Sequence, residues 1–272
     1  MAVPRFSVSQ VTTWNWPFER DVEAIAAAGA PAIAVSVRKL DAFGLAPARR
    51  LIEGAGLAVS CLTATGPFPL GDDAGERSAL EVARRHLGAA AELGAACLMV
   101  VPGNHKDLSW EEAEARTRPL LEALLPAAAA AKVRLAVEPT SQLRMDLAFL
   151  HSFDEALDFV DEIASPWLGV VLELNNAWIE RRLYGNIAAR VDRIGVVQIS
   201  DFRIGTVTSG ARTMIGDGDI PLPRICAALA AADYGGWYDI ELLGPEIERE
   251  GYAAVVPRAV GRFRSLWRHA RP

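Results

Sequence analysis

The chain has 272 residues, a net charge of -6, 51% hydrophobic residues and 23% charged residues. That ordinary globular balance with an acidic excess argues against a general affinity for nucleic acid or anionic membranes. No apolar run reaches the roughly 18 residues of a membrane span. Three widely spaced cysteines in apolar segments, Cys61, Cys97 and Cys226, form neither a disulfide framework nor a zinc cluster and read as buried thiols. The opening MAVPRFSVSQ has no basic stretch leading into an apolar core, so a cytoplasmic protein is expected.

Short apolar runs alternate with helical patterns from end to end. The first strand is expected at 5–9 and a helix at about 18–28. A strand at 32–37, a short helix around 46–54, a strand at 58–64 and a long helix at about 75–94 follow. Then come strand 97–101, helix 110–131, strand 134–140, helix 152–163 and strand 168–174. The last units are a helix near 186–192, strand 194–201, helix 222–232, strand 237–243 and a closing helix near 252–269. The strands are continuous apolar runs, as strands buried on both faces should be. Strict β-then-α alternation implies parallel strands with helical crossovers. Eight such units in this length point to a single (β/α)8 TIM barrel spanning 1–272. A doubly wound open sheet is the competitor, but the first strand–helix turn, SQVTTWNWPFE, lacks a G-x-G-x-x-G fingerprint.

In such a barrel the C-terminal strand ends form the active face. Read in order, those ends carry Glu138 in AVEPT, Glu173 in VLELNN, Gln198 and Asp201 in VVQISD, and Glu241 in YDIELL. One such residue alone marks the place where a strand meets water, and Asp201 alone suits a turn or helix cap. Their coincidence at one barrel mouth is the signal. Several desolvated carboxylates repel, and their pKa values rise. A divalent cation removes that conflict, and oxygen-only donors suit Mg2+ or Mn2+ better than Zn2+.

The segments LAVEPT, LGVVLELNNAW, VVQISDFR, ARTMIGDGDIPL and GGWYDIELLGPE resemble those of the xylose-isomerase-like TIM barrels, the sugar phosphate isomerase/epimerase superfamily. The resemblance runs over nearly the whole chain. It implies one metal held by Glu138, Glu173, Gln198 and Glu241, where the family typically has Glu, Asp, His and Glu. It also implies a substrate-binding role for Arg212, and for Asn176 where the family often has His. Glu173 is longer than Asp by one methylene, and the Gln198 amide oxygen is a weaker, neutral donor than His. Glu138 and Glu241 are then the expected catalytic acid–base pair.

The chemistry implied is that of a metal-dependent isomerase or epimerase acting on a sugar, keto-sugar or cyclitol through an enediolate. A lyase or dehydratase on a related polyol, or a metal-free binding barrel, are the alternatives; a pairing of Glu173 with an arginine favours the last. Further substrate contacts are expected from Asp201, from Trp14 in the loop after the first strand and from His105 in VPGNHKD. Trp16, Phe68 and Lys106 are weaker candidates of the same kind. GDGD at 216–219 reads as a turn that positions Arg212, not a phosphate loop. His86 and His269 read as surface or packing residues. The Arg-rich RAVGRFRSLWRHARP reads as a solvated helix face or a subunit contact, so a homo-oligomer is an open expectation.

Overall fold

A computed structural model describes residues 3–208 and 210–269. Met1, Ala2, Ser209 and the final 270–272 of the Arg-rich tail lie outside the described residues, as does the side chain of His269. Eight strands form one closed parallel barrel in sequence order. They are β1 Phe6–Ser9, β2 Ala32–Ser36, β3 Ala58–Thr65, β4 Cys97–Val100, β5 Arg134–Val137, β6 Leu168–Glu173, β7 Ile194–Ile199 and β8 Trp237–Ile240. β8 closes the ring on β1 through Phe6↔Tyr238 and Val8↔Ile240.

The helices are α1 Phe18–Ala27, α2 Val37–Phe43, α3 Leu45–Gly54, α4 Asp73–Glu92, α5 Trp110–Glu122 and α6 Leu125–Ala131. After these come α7 Phe153–Ile163, α8 Leu174–Ala177, α9 Leu183–Arg190, α10 Leu222–Ala231, α11 Pro245–Glu250 and α12 Tyr252–His269. The eight expected strands are all present; β1 ends where expected, β3 runs one residue longer, and the other six stop short of the C-terminal end of the apolar run. The expected 110–131 helix is two, because Pro126 falls in the first turn of α6 and has no N–H to continue the ladder of α5. Three short helices were not anticipated: α2 and α8 follow their strands directly, and four residues separate α11 from the end of β8.

Two apolar layers hold the barrel. An inner cluster of Ala34, Cys61, Cys97, Met99, Ala136 and Val171, with Val196, fills the ring. The larger shell lies between strands and helices. All three cysteines are free and buried, as expected. In the shell, α12 lays Phe263 and Trp267 against Phe6 and Tyr238, with ring centroids 4.7 Å apart for Phe6–Phe263 and 5.2 Å for Tyr238–Trp267. The basic face of α12 is solvent-exposed, and its arginines are paired there: Arg258 and Arg262 both reach Asp217, and Arg264 donates to Gly29 O at 2.6 Å. His86 is a packing residue, buried with Nδ1 3.0 Å from Thr65 Oγ1 and Nε2 3.1 Å from Asp41 Oδ2.

The loop after β1 is pinned from beneath by a buried ion pair. Lys39 Nζ lies 2.6 Å from Asp21 Oδ2 and 2.8 Å from Thr13 O. Gln10 Nε2 and Thr13 Oγ1 donate to the same carboxylate. Burial raises Asp21 to about 6 despite these partners. No helix among the described residues is long and apolar enough to cross a membrane.

Phe263 is fully buried at the centre of the α12 aromatic contacts. Phe263→Ala is therefore expected to destabilise the fold by about 3–5 kcal/mol, read as a lower urea midpoint at unchanged slope.

Candidate active site

The β-to-α connections enclose a cavity of about 1060 Å3 at the C-terminal end of the barrel. Glu138 and Glu241, each one residue past its strand, line it together with Trp14, Asn176, Arg212 and His151. Glu173 and Gln198 sit just behind, 3% and 1% exposed. β6 and β7 place Glu173 beside Gln198, and β7 and β8 place Gln198 beside Asp239.

One guanidinium serves this crowd of carboxylates. Arg212 Nε lies 3.6 Å from Glu173 Oε1, and a terminal nitrogen lies 3.9 Å from Glu241 Oε1. Arg212 Nε is buried with no hydrogen-bond partner. Glu173 uses both oxygens to cap the single-turn α8, accepting from the N–H groups of Asn175 and Asn176, each at 3.0 Å. Gln198 Nε2 donates to Glu241 Oε2 at 2.6 Å, and Gln198 Oε1 is left buried and unpartnered.

The electrostatic result is a set of carboxyls held above their ordinary range. Burial, then the neighbouring Glu173, raises Glu138 to about 7. Burial raises Glu241 well above its usual value, against the pull of Arg212 and with the push of Glu138, Asp239 and Glu173. Glu173 is also raised by burial, opposed by Arg212 and by its two backbone donors. A fourth acid was missed from sequence. Asp239 is fully buried, accepts from Ser7 Oγ at 2.8 Å, and is raised to about 7 by burial. Its signal was present in YDIEL, since strand alternation puts Asp239 and Glu241 on the same face of the chain.

Two expected substrate contacts are corrected. Asp201 is 1% exposed and outside the cavity lining. Its carboxylate accepts from the backbone N–H groups of Phe202, Gly216, Gly218 and Ile220 at 2.9–3.0 Å. Its backbone also exchanges hydrogen bonds with Thr213 at 2.8 and 3.0 Å. It therefore fastens the loop that carries Arg212, the task expected of GDGD. Gly218 belongs to this clamp, because a Cβ there would lie 2.4 Å from Asp201 Oδ1. His105 is also outside the lining, with Nδ1 3.2 Å from Leu108 O; His151 lines the cavity instead. Lys106 is exposed outside the lining, and Phe68 is buried below it. Trp14 does line the cavity and lies under the Arg38 guanidinium at 3.8 Å, while Trp16 meets Tyr252 edge-on.

A family model described as xylose isomerase-like TIM barrel matches residues 22–259. The chain belongs to this family. A solved structure of protein SMc04130 from Sinorhizobium meliloti 1021 is 30% identical over 97% of this chain and 98% of its own, with a TM-score of 0.90. The Escherichia coli (strain K12) "Putative L-ribulose-5-phosphate 3-epimerase SgbU" is 28% identical over 200 residues, 70% of this chain and 67% of that protein. The IolI protein, solved with a binding zinc atom, shares the fold at a TM-score of 0.80 and 19% identity, over 98% of this chain and 97% of its own.

The chemistry of the donors suits a hard divalent cation: three carboxylates short of positive charge, and a buried amide oxygen with nothing to bind. Their present spacing is looser than a cage. Among the described residues no three carboxylate, imidazole or thiol side chains group as metal ligands, and Arg212 stands between Glu173 and Glu241.

The raised acids set a stability profile. Glu138 ordinarily titrates near 4.5 and here near 7, so the folded state holds a proton that the unfolded chain releases. Stability is then highest below about 4.5 and falls as pH climbs towards 7. The metal-free wild type is expected to lose more melting temperature between pH 5 and pH 8 than Glu138→Gln, measured by thermal denaturation. Asp201→Ala leaves four backbone donors without their acceptor. It is expected to destabilise by about 1–3 kcal/mol in chemical denaturation, and to lower substrate affinity by releasing Arg212.

Proposed function

We propose that the protein is a divalent-metal-dependent isomerase or epimerase of a sugar, keto-sugar or cyclitol bearing a carbonyl beside a hydroxyl. The observation that carries this reading is the pair Glu138 and Glu241, which line one cavity from β5 and β8, Glu138 raised to about 7 and Glu241 raised well above its usual value by burial. Carboxylates tuned in this way exchange protons with carbon acids at physiological pH. Family membership and the similarity to an L-ribulose-5-phosphate 3-epimerase support the same class of chemistry.

Glu138, Gln198 Oε1 and Glu241 would hold the cation, with Glu173 completing the set. Mn2+ or Mg2+ fits these oxygen donors. When bound, the cation would polarise the substrate carbonyl and acidify the adjacent C–H. Glu138 would take the proton from that carbon, leaving an enediolate. Protonated Glu241 would return a proton to carbon, held in orientation by the Gln198 amide. Return on the opposite face gives the epimer; return on the former carbonyl carbon, with the hydroxyl proton passed between the two enediolate oxygens, gives the isomer. Arg212 and Asn176 would hold substrate oxygens, the guanidinium favouring the negative charge that develops.

The position of Arg212 favours one competing reading. A guanidinium already set between Glu173 and Glu241 neutralises part of their charge without a metal, which suits a metal-free binding barrel. Metal content separates the two. Protein purified without chelator is expected to carry about one Mn2+ or Mg2+ per chain, lost in Glu138→Gln and Glu241→Gln. A loaded wild type is expected to exchange the carbon-bound hydrogen of a keto-sugar with deuterated water. A wild type that neither holds nor takes up metal would leave the binding reading standing.

A further inference from the structure

The cavity is larger than a small sugar needs. Its 1060 Å3 lies at the top of the roughly 300–1,000 Å3 typical of pockets for drug-sized ligands. Glu138 and Glu241 lie directly at strand ends, whereas the connections further along the chain line the same cavity with Trp14, Trp178, Ile179, Phe202, Leu243 and Tyr252. Sugar hydroxyls laid against those six side chains, rather than against Gln142, Thr206 or Thr208 of the same lining, would lose hydrogen bonds to water.

The apolar character is concentrated on this face. Of the eight exposed large apolar side chains among the described residues, all but Val3 sit on β-to-α connections or at the helix start that ends one. Ile179 is 73% exposed and Trp14 is 44% exposed, although both line the cavity. Three of the eight, Trp14, Leu143 and Ile179, line the cavity itself, where exposed apolar groups mark a binding surface. The wall is also held ready: Arg38 stacks on Trp14 at 3.8 Å, and the Trp178 and Phe202 rings lie 6.4 Å apart. This wall and the glutamates bound one continuous cavity, so a molecule long enough to span it reaches the glutamates and covers the wall together.

We propose that the substrate is amphipathic: a polyhydroxy carbonyl head over Glu138 and Glu241, joined to an apolar, ring-bearing group packed against Trp14, Trp178 and Phe202. A ring-ketone glycoside of an aromatic alcohol is the simplest compound of this class; the plain glycoside, whose anomeric carbon is an acetal, has no carbonyl and reports the binding of the apolar group alone. The head group rests on the isomerase or epimerase reading above; the apolar group does not.

Calorimetric titration of the whole protein with matched methyl and phenyl glycosides of glucose, xylose and ribose tests the second part alone. The phenyl member of at least one pair is expected to bind at least about tenfold more tightly, the gain from burying one ring. Saturation-transfer NMR is expected to be strongest at its ring protons. Trp178→Ala is expected to erase most of the phenyl-to-methyl ratio, and Trp178→Phe to restore it. Equal affinities in every pair, no detectable phenyl glycoside binding at millimolar concentration, or a ratio unchanged in both Trp14→Ala and Trp178→Ala would overturn the proposal. So would a dimer in sedimentation that Ile179→Asp dissolves, because the wall would then belong to a second copy. Deuterium exchange judges the head-group reading separately. Phenyl selectivity without exchange retires the isomerase and keeps the amphipathic ligand; exchange without phenyl selectivity does the reverse.

Discussion

Everything at the barrel mouth answers to the repulsion among carboxylates denied water. Glu138, Glu173 and Glu241 stand near one another with a single guanidinium between them, and Asp239 adds a fourth acid just below. Each neighbouring feature relieves part of that load. Glu173 spends both oxygens on the amides of α8. Gln198 turns its amide hydrogens to Glu241, which leaves its oxygen facing no partner. Protons held above the usual carboxylate range take up what remains, and the same protons are the currency of acid–base work on carbon.

The sequence carried the strands well because parallel strands buried on both faces must be continuous apolar runs, and a polar residue breaking such a run stands out. That is why Glu138, Glu173, Gln198 and Glu241 were found. Asp239 was overlooked because it sits inside the run, where one acid among apolar neighbours looks like noise until strand alternation is applied. Asp201 and His105 were misassigned for a different reason. Both belong to loops, and whether a loop side chain turns to the cavity or to its own backbone depends on tertiary hydrogen bonds that local pattern does not encode. α8 shows the same limit: its four residues form a turn because Glu173 caps it, a contact invisible in propensity.

A shared barrel does not by itself carry a shared substrate. Here the strands supply the acids and the connections supply the walls. The buried Lys39–Asp21 pair braces one wall, holding the loop of Trp14 and Trp16 against α2. Glu180 braces another, accepting from the first amides of α7 at Phe153 and Asp154, so that the connection after β6 is tied to the helix before it. The shape of the cavity is thus fixed by polar contacts within and beneath its connections.

The Asp201 clamp has an evolutionary corollary. Its carboxylate grips Gly216, Gly218 and Ile220 while its backbone pairs with Thr213, so the connection that starts at Arg203 is fastened where it leaves and where it returns. Insertions, deletions or new side chains in that stretch can remodel the rim while Arg212 keeps its place. The clamp thereby separates the segment that shapes the rim from the position of the reacting groups, an arrangement in which ligand contacts can change without rebuilding the chemistry.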